Sequence, residues 1–278
     1  MEEIKMIKKT VLITGASSGM GYAATQLFAQ QGWQVYAGAR RVNNIPVGTG
    51  IHPLSLDVTD DDSRKNFVQA AEKEATLDVL INNAGYGEYG PLEEVSLEKV
   101  RRQVETNLFG AAELTKLVLP RMRHQHTGRI VNISSLGGDM YSALGGWYHV
   151  TKHGLNVWSD VLDTEIRQFG LRSVVVEPGG TQSSWSDIAM GSIEKNVVPD
   201  TPYRSLIDGT LSVIQRVGSH SAATSADLAK VFYRAATDHK PKRRYYFSFS
   251  DRMMSRLARV HPGIFHQLII SMAARAAR

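Results

Sequence analysis

The 278-residue chain has no cysteine. Disulfides, thiolate nucleophiles and thiolate-bound metals are therefore excluded, and the composition suits a reducing compartment, the cytoplasm. Long apolar runs are missing too: no stretch reaches the roughly 18 residues that a membrane span needs. Met1 to Lys5 are mixed in charge, and the run Val11-Leu12-Ile13 that follows is too short for a signal peptide. The net charge is only +5, and the aromatic residues do not interleave with a basic strip, so nothing indicates a nucleic-acid partner. Histidines and carboxylates form no group with metal-ligand spacing. Internal repeats and low-complexity tracts are absent as well.

What is present reads as globular: hydrophobic residues make up 42% and charged residues 21%. The length suits one large α/β domain or two small ones. Short apolar runs at residues 9–15, 33–38, 51–56, 77–82, 129–134 and 171–177 predict strands. Between them, helical spacing predicts helices over 19–31, 60–74, 97–124 and 147–169. The strands are continuous in hydrophobicity rather than alternating, which implies a parallel sheet covered on both faces. The expected fold class is α/β, a doubly wound parallel sheet of Rossmann type. Beyond Pro178 the character changes. Residues 179–220 mix Gly, Ser, Asp and scattered apolar residues, as a substrate-covering loop would. Residues 225–238 predict another helix, and Tyr245 to Phe249 a final edge strand.

The first strand runs into Thr14-Gly15-Ala16-Ser17-Ser18-Gly19-Met20-Gly21 and then a helix. Glycines allow a tight turn and close approach to a pyrophosphate, and a helix amino terminus offers oriented N–H groups. An ordinary βα loop is the plain alternative for an isolated Gly cluster. The second strand ends not in an acid but in Arg40-Arg41. An acid there would bind a ribose 2′-hydroxyl, whereas paired guanidiniums suit a 2′-phosphate and hence NADP(H). Solvated loop charges are the alternative.

Tyr148 and Lys152 are four residues apart, so on a helix they share a face. A neighbouring ammonium favours the phenolate, and the Tyr148 pKa is expected to fall toward working pH. Tyr148 would then exchange a proton with a carbonyl or alcohol. Ser135 follows the fifth strand, where its hydroxyl can bond the substrate oxygen. The pairs Gly137-Gly138 and Gly145-Gly146 let the intervening loop fold back.

The Gly turn, Asn82-Asn83-Ala84-Gly85, Ser135, Tyr148-x-x-x-Lys152 and Pro178-Gly179, in that order, resemble the short-chain dehydrogenase/reductase family. The resemblance covers residues 10 to about 185. It implies a catalytic set of Ser135, Tyr148, Lys152 and Asn107, with Asn107 distorting its helix to hold a proton-relaying water. It implies a dinucleotide held by Gly15, Ser17, Ser18, Gly19, Met20 and Gly21, by Asn83, Ala84 and Gly85, and by Pro178 and Gly179. Asp57 and Val58 would meet the adenine, although Asp57 can instead cap the helix near Asp60. Lys152 would bind the nicotinamide ribose. Ser183 stands where the family often has Thr, and Thr181 can serve instead. The helices at 97–124 and 147–169 would build a homodimer or homotetramer interface. His149 and His153, which fill or follow the gap between Tyr148 and Lys152, read as packing or interface residues.

These readings predict one domain over residues 1–250 and an amphipathic helical extension over 251–278. The predicted activity is NADP(H)-dependent hydride transfer with a carbonyl or alcohol. Leu136, Met140, Tyr141, Trp185, Ile188, Met190 and Ile193 suggest an apolar substrate, ketone, steroid- or lipid-like, if they do more than cover the sheet. In the extension, Arg252, Arg256 and Arg259 accompany Met253, Met254, Leu257, Ile264 and Leu268, with Pro262-Gly263 as a break. Such a segment can lie on an anionic membrane, but a terminal helix pair that closes the pocket or meets a neighbouring subunit is the favoured reading. Rival functions are a non-catalytic redox sensor, an isomerase or epimerase, and a membrane scaffold. The sensor would tolerate loss of the Ser–Tyr–Lys set, which this chain retains.

Overall fold

The computed structural model describes residues 8–182, 191–218 and 223–276. The apolar runs become strands β1 (Thr10–Thr14), β2 (Gln34–Ala39), β3 (Ile51–Ser55), β4 (Val79–Asn82), β5 (Arg129–Ile133) and β6 (Arg172–Val176). Two-residue strands β7 (Thr181–Gln182) and β8 (Ala223–Thr224) pair apart, and β9 (Arg244–Tyr245) completes the main sheet. The main sheet is parallel throughout, in the order β3-β2-β1-β4-β5-β6-β9.

Both faces of this sheet are dry, which is why its strands lack polar alternation. Val11, Ile13, Val79, Ile81, Val131 and Ile133 enter one core cluster. Their neighbours Leu12, Leu80 and Ile130 enter the other. On the first face lie helices α1 (Gly19–Gln30) and α8 (Ser225–Thr237), which contribute Phe28, Leu228 and Phe232. On the second lie α2 (Asp61–Gln69), α4 (Gly110–Gln125) and α5 (Gly146–Ile166), with Phe67, Leu114 and Leu162. The chain is thus a single doubly wound α/β domain. Its topology reverses beside β1, whose neighbours are β2 and β4. A crevice at the carboxyl ends of such strands is where open α/β sheets bind ligands.

The helix expected over 97–124 is not continuous. It divides into α3 (Leu97–Val104), a π turn (Glu105–Phe109) and α4. The region 179–220 carries β7, a helical stretch α6 (191–196) and α7 (Arg204–Gly218). The last strand is shorter than expected. Phe249 opens helix α9 (Phe249–Val260), because Ser248 and Asp251 form a reciprocal capping box. Helix α10 (Pro262–Ala276) follows immediately, with Pro262 at its first position, where the missing N–H costs nothing. Among the described residues no helix is long and apolar enough to cross a membrane.

Candidate active site

At the reversal point the ends of β1 and β4 are joined by Thr14. Its hydroxyl accepts from the backbone N–H groups of Asn83 (3.0 Å) and Ala84 (2.8 Å). Asn83 Nδ2 returns a bond to Thr14 O at 2.8 Å. Asn83 is therefore occupied in bracing the turn, and Thr14 is a site residue that the Gly spacing alone does not single out. Gly15 and Gly19 have φ of +69° and +57°, in the left-handed region that glycine adopts without strain. A Cβ on Gly21 would lie 2.3 Å from Gly15 O, so α1 presses directly against the turn.

This turn opens onto a cavity of about 830 Å³. Its wall includes every residue from Gly15 to Gly21 except Ala16, together with Asn83, Ala84 and Gly85. Ser18 occupies the N-cap of α1 without a side-chain cap bond, and the first turn has no acid. The helix terminus therefore faces the cavity with N–H groups unclaimed by a cap and its positive end uncompensated. Those features fit a dinucleotide pyrophosphate. Arg40, Arg41, Asp57 and Val58 line the same cavity, so the structure gathers the residues expected around an adenosine. Arg102 joins them, a cation that sequence reasoning missed because it comes from α3, far along the chain. Burial opposes ionisation of Asp57. Hydrogen bonds from Thr59 and the charges of Arg40 and Arg102 outweigh it and hold the carboxyl below its ordinary value. The cap of α2 is Asp60, whose carboxylate accepts from Ser63 N at 2.7 Å, and not Asp57.

The catalytic candidates lie beyond Gly85. An added Cβ there would meet Asn107 Oδ1 at 3.0 Å and Lys152 Nζ at 3.5 Å. Tyr148 and Lys152 stand on successive turns of α5, each only 5% exposed. The Tyr148 hydroxyl bonds Ser135. Ser135 also accepts from Gly137 N at 3.0 Å, which fixes its rotamer at the start of the 136–138 turn. Lys152 Nζ donates to Ile133 O at 2.9 Å and lies 6.0 Å from the centre of the Tyr148 ring. The expected fall in the Tyr148 pKa is not seen. Burial pushes the phenol up to about 12, against a smaller opposite effect of the Ser135 bond. Burial likewise pushes Lys152 down to about 8. Desolvation, invisible in a spacing pattern, dominates both groups here.

Asn107 lies in the π turn and is 1% exposed. Its amide clamps Tyr86, accepting from Tyr86 N at 3.0 Å and donating to Tyr86 O at 2.8 Å. It also donates to Thr151 at 3.1 Å. The helix distortion expected from the family is present, and the side chain holds protein groups. His149 is a packing residue, as expected. Its Nδ1 bonds Gly137 O at 3.0 Å and its Nε2 accepts from Ser142 N at 3.0 Å, stapling the loop between Ser135 and Tyr148. Burial lowers its pKa to about 4, so the ring is neutral.

Tyr148 packs in an apolar group with Tyr89, Leu144, Ile193 and Ile207, the last two from α6 and α7. Ile193 thus reaches the site as expected. Tyr141 does not: its hydroxyl bonds His266 Nδ1 at 2.8 Å and its ring meets Phe265 edge-on, both in α10. Pro178 and Gly179 follow β6. Gly179 faces Asp251, whose Oδ1 would lie 2.7 Å from an added Cβ. Thr181 lies in β7. Ser183, Trp185, Ile188 and Met190 lie outside the described residues.

The profile described as short chain dehydrogenase matches residues 9–190. A probable short-chain type dehydrogenase/reductase of Helicobacter pylori is 30% identical, over 94% of this chain and 96% of its own. A 3-ketodihydrosphingosine reductase of Bacteroides thetaiotaomicron is 34% identical, over 82% of this chain and 85% of its own. Among solved structures, a short-chain dehydrogenase from Streptomyces avermitilis superposes with a TM-score of 0.79 at 28% identity, covering 95% of this chain and 97% of that one. A serine dehydrogenase complexed with NADP+ gives 0.73 at 26% identity, covering 85% and 93%. The fold is shared by a Burkholderia phymatum protein in complex with NAD, at 0.77 and 23% identity over 94% and 95%. Either dinucleotide is thus found on this architecture.

Proposed function

The chain belongs to the short-chain dehydrogenase/reductase family, and from that premise we propose that it is a carbonyl reductase, reversible as an alcohol dehydrogenase, that uses NADP(H) on an apolar ketone or alcohol. The observation that carries this reading is the Tyr148 hydroxyl bonded to Ser135, with Lys152 6.0 Å from the same ring and beside cavity-lining Gly85.

A bound nicotinamide supplies or takes up the hydride. Tyr148 gives its phenolic proton to the substrate oxygen. Its high pKa keeps that proton in place at neutral pH, the state that reduction requires. The Ser135 hydroxyl donates to the same oxygen as negative charge develops. Lys152 places positive charge near the phenolate left behind, and at about 8 its ammonium can release a proton close to neutral pH. Asn107 positions the Tyr86 backbone and, through it, Gly85 beside Lys152. Arg40 and Arg41, with Arg102 on the same cavity wall, favour a 2′-phosphate, since no acid ends β2. The apolar group around Tyr148 supports a substrate with little polarity near its reacting carbon, and so does the similarity to a 3-ketodihydrosphingosine reductase.

We also take the faces of α4 and α5 to form a homodimer or homotetramer. Val150, Val157 and Val161 of α5 are exposed on one face at seven- and four-residue spacing. Helix α10 of the extension meets Tyr141, in the loop between Ser135 and Tyr148.

The test is Tyr148→Phe with a carbonyl substrate found by screening nicotinamide absorbance. Turnover should fall by about 10²-fold or more, as for loss of a general acid, with NADPH binding retained. Wild-type turnover in the variant would overturn the mechanism. Arg40→Ala with Arg41→Ala should weaken NADPH binding by about tenfold or more and leave NADH unchanged. Equal effects on both would remove the 2′-phosphate site.

A further inference from the structure

Behind the Ser135 turn lies a buried polar cluster that hydride transfer does not use. Glu177, the last residue before Pro178-Gly179, is fully buried. Its Oε1 meets Arg244 Nε at 2.8 Å and accepts from Asn156 Nδ2 at 3.2 Å. Asp139 lies just past the Ser135 turn and meets Arg259 Nε at 3.2 Å. Ser255 of α9, also fully buried, donates to Asp139, and its Oγ lies 3.3 Å from Glu177 Oε2. Tyr246 Oη lies 3.1 Å from the same Oγ and accepts from Arg259 at 3.0 Å.

Two acids of this cluster crowd on one hydroxyl. Arg244 is shared, since it also grips Asp160 of α5 at 2.6 and 2.7 Å. Three carboxylates therefore face Arg244 and Arg259, and the next cation, Arg243, stands 3.7 Å from Asp160 on the solvent side. A serine hydroxyl has one proton to donate, and that of Ser255 goes to Asp139. The Tyr246 hydroxyl also bonds Glu177, but Glu177 and Asp139 remain two buried carboxyl groups in side-chain contact, which is unfavourable in a dry interior while both are charged. A proton on the carboxyl pair relieves that repulsion and bonds the two acids to each other.

We propose that Glu177 and Asp139 share a proton and, through Ser255, fasten helix α9 to the Ser135 turn, so that this joint positions Ser135 for catalysis. It rests on the reading of Ser135 as an active-site hydroxyl. The remaining charged neighbour is Asp251 of α9, which sits against Gly179. Burial and the neighbouring Asp139 push Glu177 up to about 7, in line with this geometry.

The sign follows from linkage. A carboxyl raised in the closed state contributes most when protonated, and its contribution is lost as pH rises from the ordinary 4.5 to about 7. Opening of α9 should therefore grow by up to about tenfold per pH unit across that window and level off above it. The experiment is amide exchange of residues 249–260 in the full-length protein from pH 5 to 8, corrected for intrinsic rates. The parent should lose protection up to about pH 7. Glu177→Gln, a neutral mimic of the protonated acid, should keep constant protection. PH-independent protection in the parent, or the same pH dependence in Glu177→Gln, overturns the proposal. Ser255→Ala supplies the second arm. It should lower kcat severalfold without changing KM for NADPH, and unchanged kcat would remove the link to Ser135. If no carbonyl substrate is ever turned over, the functional reading fails while the exchange arm still decides whether the joint holds a proton.

Discussion

Lys152→Met removes an ammonium that is 5% exposed and pushed by burial from the ordinary 10.5 down to about 8. At 1.36 kcal/mol per pH unit, that gap amounts to about 3 kcal/mol between the two protonation states. Below pH 8 both folded and unfolded chains hold the proton, and the folded state bears the full desolvation cost. Between 8 and 10.5 the folded chain has released it and the unfolded chain has not, so stability rises with pH. The variant lacks this gain. Its stability relative to the parent at pH 7 combines relief of desolvation with loss of the 2.9 Å bond to Ile133 O, two opposing effects of similar size. The change in that difference with pH is free of this ambiguity, because all other titrating groups cancel. Urea denaturation of both proteins at intervals from pH 7 to 10.5 should show the parent gaining about 3 kcal/mol on the variant. Parallel curves would refute the reasoning and mean that the ammonium is solvated or paired, with an ordinary pKa.

Gly21→Ala places a Cβ 2.3 Å from Gly15 O and 2.5 Å from Asn83 Nδ2, so the turn must shift. The expected cost is about 1–3 kcal/mol in stability, with weaker NADPH binding by fluorescence titration; unaltered binding would mean that the turn does not hold the dinucleotide. Asp163 is 4% exposed and accepts from Arg172, Arg167 and Ser173 N. Burial opposes its ionisation, but those bonds outweigh it and hold its carboxyl below 3.8. Asp163→Asn should cost about 3 kcal/mol at pH 7, and the gap in thermal stability should close as pH falls below 3.8 through the lower folded value. A gap independent of pH would assign the loss to packing.

The strands were legible because burial on both faces leaves unbroken apolar runs, as in Val11-Leu12-Ile13 and Val79-Leu80-Ile81. The Tyr148–Lys152 neighbourhood was legible because a helix brings residues four apart together. What escaped depends on groups distant in sequence. The Tyr148 pKa moves up rather than down, since Tyr89 and α6–α7 exclude water from it and Lys152 turns to Ile133 O. Arg102 reaches the cavity across 61 residues from Arg41, a separation that no local pattern records. Asp139 and Glu177 meet only because β6 and the Ser135 turn run side by side. By contrast, the end of the last strand was readable in principle. Ser248-Phe249-Ser250-Asp251 carries a capping signal, and its aromatic residue drew the reading toward a strand.

The π turn at Glu105–Phe109 has an evolutionary corollary. A widened turn absorbs one additional residue inside a helix, mostly at functional sites. Deleting a single residue there would let α3 and α4 merge into an ordinary helix with Val100 and Leu114 still facing inward. Asn107 alone would swing off Tyr86 and Thr151. A shortened descendant would keep a regular helix but lose this clamp, and a gap at this spot in a related sequence would mark a lineage that holds the Tyr86 segment by other means.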